Sequence, residues 1–258
     1  NELIEGKHPA QQALIKEELV AHMLCAGILK NELEGRTGPS MKDISMHESV
    51  FLDSLPFELT NAQNVVWGEI KNDLLANIPM RRLLQGDVGS GKTLVGALSA
   101  LHASSNGYQT ALLCPTEILA EQHFTSFSDW FKKLGIKVML LTGSTKAKER
   151  KIIIEDLAAG KIDILIGTHA IFQSGIEFNS LGLTVIDEQH RFGVHQRFSM
   201  LEKGGKTNQS PHQLIMTATP IPRTLAMTVY GSLETSIIDE LPPGRNPVQT
   251  SSRPDSFR

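Results

Sequence analysis

Residues 86 to 93 read GDVGSGKT, setting three glycines, a lysine and a threonine in the spacing G-x-x-x-x-G-K-[ST]. Side chains of these types in this order suit one task, the cradling of a polyphosphate. Gly86, Gly89 and Gly91 lack a Cβ, so the backbone can take unusual torsions and approach a ligand closely. The N–H groups of Asp87, Val88 and Ser90, and those of a helix expected to begin near Gly91, then face anionic oxygens. Lys92 is placed to reach the β- and γ-phosphates, and the Thr93 hydroxyl to ligate Mg²⁺.

Such a loop needs a carboxylate for its metal. The run LTVIDEQH (183–190) supplies two acids at the end of an apolar stretch, where solvated acids are out of place. Asp187 is the expected metal-side carboxylate, and Glu188 the group to orient and deprotonate an attacking water. Lys92, Asp187 and Glu188 are thus the candidate catalytic residues, with Thr93 and Asp187 the candidate metal ligands.

Those groups need a scaffold that brings distant segments together. Short apolar runs recur at 81–86, 110–115, 137–143, 163–168, 183–188, 213–219 and 235–239. Apolar side chains on consecutive positions suggest strands buried on both faces. Helical candidates fill the gaps at 92–104, 117–134 and 145–159. This alternation predicts an α/β fold, a mainly parallel sheet covered by helices on both faces. Ahead of it, residues 11–34 carry Leu14, Leu19, Met23, Leu24 and Ile28 at helical spacing, predicting one long N-terminal helix with a packing face. The segment GRTGPSMKDISMHES (35–49) is rich in turn formers and reads as a connection. The final LPPGRNPVQTSSRPDSFR reads as a linker.

The 258 residues are 40% hydrophobic and 21% charged, ordinary for a globular protein. A formal charge of −3 excludes a broad basic field, though phosphates can also be held by backbone amides, hydroxyls and helix N-termini. The two cysteines, Cys25 and Cys114, lack metal-ligand spacing and suit a reducing cytoplasm. No run approaches the ~18 apolar residues of a membrane span, so no membrane partner is expected.

At DEQH (187–190) the sequence resembles the superfamily 2 helicases and translocases, and the family's other motifs follow in order. FELTNAQ (57–63) resembles the adenine-reading motif, which makes Gln63 the adenine selector and Phe57 a further contact. PTEILAEQH (115–123), LTGS (141–144), GTHA (167–170) and TATPIPRT (217–224) resemble motifs Ia, the TxGx type, Ib and III. Within the superfamily, LLQGDVGSGKT, DEQHRFGVHQR, MTATPIPRTLAMTVYG and ELPPGR are similar to the bacterial branch-migration helicases over roughly residues 55–248. His195 departs from that group, which is expected to carry an acid there.

The resemblance implies a RecA-like lobe using ATP and Mg²⁺. It places Thr116, Thr142, Gly143 and Thr168 at DNA phosphates and makes His190, Thr217 and Thr219 coupling positions, His190 also bordering the nucleotide. Arg191 and Arg223 fall on the DNA or coupling side, and the polar loop through Phe192, Gln196 and Arg197 is expected to face DNA or a second lobe. Residues 1–54 would be the helix and connection from an upstream DNA-wedge domain, 55–242 the lobe, and 243–258 a linker towards a second RecA-like lobe. Motifs IV to VI and the arginine finger belong to that second lobe. A finger is worth about 10³ to 10⁵ in turnover, so this chain alone is expected to be nearly inactive. The implied activity is remodelling of branched DNA, namely stalled forks and Holliday junctions. The alternatives are a transcription-repair coupling or primosome-restart translocase, or a P-loop ATPase that never touches DNA; the last leaves FELTNAQ, GTHA and TATPIPRT unexplained.

Overall fold

The computed structural model describes residues 8–33, 35–173, 175–188, 209–219 and 233–240. Each predicted apolar run forms a strand: β1 (Arg81–Gly86), β2 (Gln109–Leu113), β3 (Val138–Leu141), β4 (Ile164–Gly167), β5 (Leu181–Asp187), β6 (His212–Thr217) and β7 (Glu234–Ile238). They form one sheet in the order β3-β4-β2-β5-β6-β1-β7, with every pairing parallel. The carboxyl ends of all seven strands therefore lie along one edge.

Because side chains alternate across a strand, the sheet feeds two cores. Leu84, Leu112, Val185 and Leu214 join one, together with helix residues such as Leu98, Phe127 and Phe131. Leu83, Leu113, Ile186 and Ile215 join the other, with Ile153, Leu157 and Ile171. This two-sided burial is why the strands read as continuous apolar runs.

Helix α1 spans Pro9–Leu33, α2 Ser45–Asp53 and α3 Asn61–Leu75. Then come α4 (Lys92–Ser105), α5 (Glu117–Phe131) and α6 (Ala147–Ala158). Every residue of α4 from Leu94 to Ala103 is buried. Small residues let it lie close to the sheet: a Cβ on Gly96 would stand 3.2 Å from the Met216 sulfur. The helix expected over 117–134 stops at Phe131, continues as a 3-10 turn through Leu134, and is closed by Gly135 at φ +70°.

One expectation is corrected. The segment 35–49 is more than a connection, since α2 begins within it and Met41, Ile44 and Phe51 enter the core. Thr37 also forms a parallel bridge with Gln209. The face expected to pack on α1 is not covered among the described residues: Leu14 is 66% and Leu24 62% exposed. Spacing announces an apolar face but says nothing about what meets it. No helix among the described residues is long and apolar enough to cross a membrane.

Candidate nucleotide-binding site

The glycine-rich loop leaves β1 at the carboxyl edge of the sheet and turns straight into α4. Gly91 caps that helix at φ +90°, and Gly89 sits at φ +81°, both in the left-handed region that favours glycine. A Cβ on Gly91 would stand 2.1 Å from Gln63 Nε2, and one on Gly86 2.5 Å from Ser90 Oγ. The loop is therefore held tight from behind, and its free side is open, with Val88 71% exposed. Lys92 Nζ donates to the carbonyls of Gly86 (2.6 Å) and Asp87 (2.9 Å). Burial pulls the Lys92 ammonium below the ordinary lysine range, and the charges of Asp187, Glu188 and Asp87 oppose that pull. The lysine and both acids thus share one electrostatic neighbourhood despite lying almost a hundred residues apart. Thr93 is half-buried in the first turn of α4.

Asp187 ends β5 with its carboxylate largely enclosed, and its Oδ2 lies 2.8 Å from His123 Nε2 of α5. Glu188 follows at φ +52°, a left-handed conformation that costs a non-glycine residue about 1–3 kcal/mol. Its N–H donates to Met216 O (2.9 Å), and its Oε1 accepts from Ala218 N–H (3.0 Å). The acid pair is thereby tied to the end of β6. There Thr217 is buried, its Oγ1 lies 2.8 Å from Thr219 Oγ1, and it accepts from Thr219 N–H at 3.2 Å.

Gln63 is buried in the first turn of α3. Its Oε1 accepts from Thr60 N–H (2.9 Å), the Thr60 hydroxyl accepts from Gln63 N–H (3.2 Å), and together they close a capping box. Its Nε2 donates to Ser90 O (2.7 Å), so the expected adenine selector also braces the phosphate loop. Phe57 is half exposed nearby in sequence.

The residues expected at DNA phosphates follow β2, β3 and β4, which adjoin in the sheet. Thr116 caps α5, its Oγ1 accepting from Leu119 N–H (3.3 Å). Glu117 accepts from both Ser144 N–H (3.2 Å) and Ser144 Oγ (2.9 Å), which draws the loop after β3 against α5. Gly143 is exposed, and the Thr142 hydroxyl pairs with the Oγ of the exposed Ser144 at 2.8 Å. The Thr168 hydroxyl is buried with no hydrogen-bond partner among the described residues. His190, Arg191, Phe192, His195, Gln196, Arg197 and Arg223 lie outside the described residues, as does the stretch 243–258.

The edge of the sheet is thus divided. The nucleotide candidates follow β5, β6 and β1, and the phosphate-backbone candidates follow β3, β4 and β2. His123 is a site residue that no motif in the sequence announces. The available signal was a polar residue on an otherwise apolar helix face, at the close of PTEILAEQH. The cradle fits a magnesium-bound triphosphate: Gly86 and Gly91 leave no room for a Cβ, one cation faces it, and two acids adjoin. No cluster of three or more His, Cys, Asp or Glu that could hold a metal occurs among the described residues. Mg²⁺ takes one or two protein oxygens and fills its shell with phosphate and water, so Thr93 and Asp187 suffice as candidate ligands.

An all-parallel sheet carrying a phosphate loop after β1 and an acid pair after β5 defines a P-loop domain of the RecA-like class. The family model for the DEAD/DEAH box helicases matches residues 60–228, well over half of the sequence, and the chain belongs to that family. The ATP-dependent DNA helicase RecG of Haemophilus influenzae is 55% identical over 248 residues, covering 96% of this chain and 36% of its own length. The protein of the same name from Escherichia coli K12 is 52% identical over 258 residues, covering 100% and 37%. A solved structure of RecG bound to a three-way DNA junction matches with a TM-score of 0.79 and 45% identity, covering 90% of this chain and 31% of that one. The chain therefore spans little more than a third of the length of these curated relatives.

Proposed function

We propose that this chain is the ATP-binding motor lobe of a DNA helicase that remodels branched DNA, with forks and Holliday junctions as its substrates and Mg²⁺-ATP as its fuel. The observation that carries the reading is the register of β1, β6 and β5, which brings the glycine-rich loop and the acids Asp187 and Glu188 to one stretch of the sheet edge, with the candidate DNA-side loops following the other strands. The branched-DNA part draws support from the junction-bound relative. The strong similarity to RecG proteins disfavours the coupling and restart translocases and the ATPase without DNA.

On this reading the loop amides of 87–91 and the Lys92 ammonium hold the β- and γ-phosphates, while Thr93 and Asp187 hold the metal. Bound Mg²⁺-ATP supplies the phosphoanhydride whose hydrolysis drives movement. Glu188 accepts a proton from the attacking water, and its bond to Ala218 N–H keeps that carboxylate turned towards motif III. Gln63 reads the base, and Thr116 and the exposed Gly143 backbone meet phosphates. The lobe is residues 55–242, with the packed segment from Thr37 belonging to the same core. The long helix leads in from a wedge domain, and 243–258 leads towards a second lobe. A buried, free Cys114, its thiol pushed well up by burial, suits a cytoplasmic setting.

The test is retention of the full-length protein on a three-way junction against a linear duplex, with and without Mg²⁺-ATP. Nucleotide-dependent preference for the junction is expected, and Lys92→Ala should abolish the nucleotide dependence. Indifference of the wild type to both junction and nucleotide would remove the proposal.

A further inference from the structure

His123 joins the two halves of the sheet edge. It sits on α5, which follows β2 on the DNA side, yet its Nε2 lies 2.8 Å from the carboxylate that ends β5 on the nucleotide side. Both side chains are close to nine-tenths buried, so water does not readily replace the contact. The imidazole is also aimed. Its ring meets Phe127 edge-on, with centroids 6.3 Å apart and planes at 88°. Phe127 packs in turn on Phe131, and Phe131 on Phe51 of α2. Residues 123, 127 and 131 occupy one helix face at four-residue intervals, so the ring is locked by a file of buried aromatics. A histidine needed only to fill space would not require its nitrogen to meet this particular acid.

A carboxylate that binds a metal has an orientation to keep, and the groups hydrogen-bonded to it set that orientation. We propose that His123 is a positioning residue, holding the Asp187 carboxylate for the nucleotide-bound Mg²⁺ and anchoring it to α5. The inference rests on the nucleotide-site reading above. It adds a mechanical link: α5 is capped by Thr116 and braced to Ser144 through Glu117, so the helix that carries the DNA-side loops also grips the metal-side acid.

The experiment titrates Mg²⁺ into the full-length protein with a fluorescent ATP analogue and follows binding, with a parallel measurement in EDTA and a thermal melt. His123→Phe keeps the ring packing and removes the donor, whereas His123→Gln restores an amide N–H near the Nε2 position. His123→Phe should raise the half-saturating Mg²⁺ concentration at least about tenfold, and His123→Gln should stay within about threefold of wild type. Binding in EDTA should be unchanged in both; Tm should fall by roughly 2–12 °C in His123→Phe, where a buried carboxylate loses its partner, and by less in His123→Gln. If His123→Phe does not fold, His123→Asn, whose amide falls short of Asp187, carries the same expectation. Wild-type Mg²⁺ dependence in the donor-less variant would overturn the proposal. So would an equal loss of binding in EDTA, or a His123→Gln protein as impaired as His123→Phe. If the wild type binds no nucleotide with or without Mg²⁺, the proposed function fails instead.

Discussion

Gln63 is asked to do two things, and replacing it with alanine separates them. Its amide carries two N–H donors and an oxygen with two lone pairs. One donor is committed to Ser90 O and one lone pair to Thr60 N–H, so one of each is left to pair with an adenine edge without releasing the loop. Gln63→Ala removes the brace on the phosphate loop and half of the capping box. Loss of the cap's reciprocal bond costs about 0.5–1 kcal/mol, and orphaning the Ser90 carbonyl about 1–3 kcal/mol. A total of about 2–4 kcal/mol corresponds to a fall in Tm of roughly 5–15 °C for a domain of this size. Lost base contacts of about 1–3 kcal/mol should also shrink any preference for ATP over GTP by roughly 10- to 100-fold. Differential scanning fluorimetry and competition binding measure the two effects separately. An unchanged Tm would refute the brace. A lowered Tm with the full ATP preference intact would refute base reading and leave Gln63 a scaffold residue.

Two further perturbations test the frame around the site. Arg82 is almost fully buried and joins Asp73 (2.7 Å), Glu69 (3.3 Å) and Ser236 (2.8 Å), fastening α3 to β1 and β7. Arg82→Met should cost about 3 kcal/mol, the low end for a broken buried pair because both acids keep some solvent, and urea denaturation would show it. The fold should also weaken in acid, because burial pushes the His102 imidazole down to about 4 and lowers that of His212 as well. Both rings are favoured neutral in the folded chain, so their contribution is complete above the unfolded value of 6.5. It drains away as pH falls from there towards 4, up to about 3 kcal/mol for His102. His102→Leu should flatten part of that decline, since neither ring nitrogen has a hydrogen-bond partner among the described residues; a Tm–pH curve as steep as wild type would contradict this.

The strands were legible because a parallel sheet buried on both faces writes itself as unbroken apolar runs, as in Ala111–Cys114 and Leu214–Met216. The glycine-rich turn after β1 was legible because its demands are local: left-handed torsions at Gly89 and Gly91, and a helix starting at Lys92. What escaped notice is tertiary. Helix α2 has nine residues and buries only Phe51, so it shows little periodicity behind the turn formers that precede it. The brace from Gln63 to Ser90 spans 27 positions and the pair His123–Asp187 spans 64, and no local pattern encodes either. For Thr168 the motif marks a strand end but does not encode that the hydroxyl is buried.

The resting place of Lys92 sets terms for turnover. Its ammonium already has two carbonyl acceptors, so grasping a phosphate is a swap rather than a fresh bond. Hydrogen bonds to a charged group contribute about 1.5–3 kcal/mol each, and whatever is surrendered on Gly86 and Asp87 is subtracted from the grip on the nucleotide. On the proposed function, a lysine with such a berth to return to would let the spent nucleotide leave, which a cyclic machine needs as much as it needs capture.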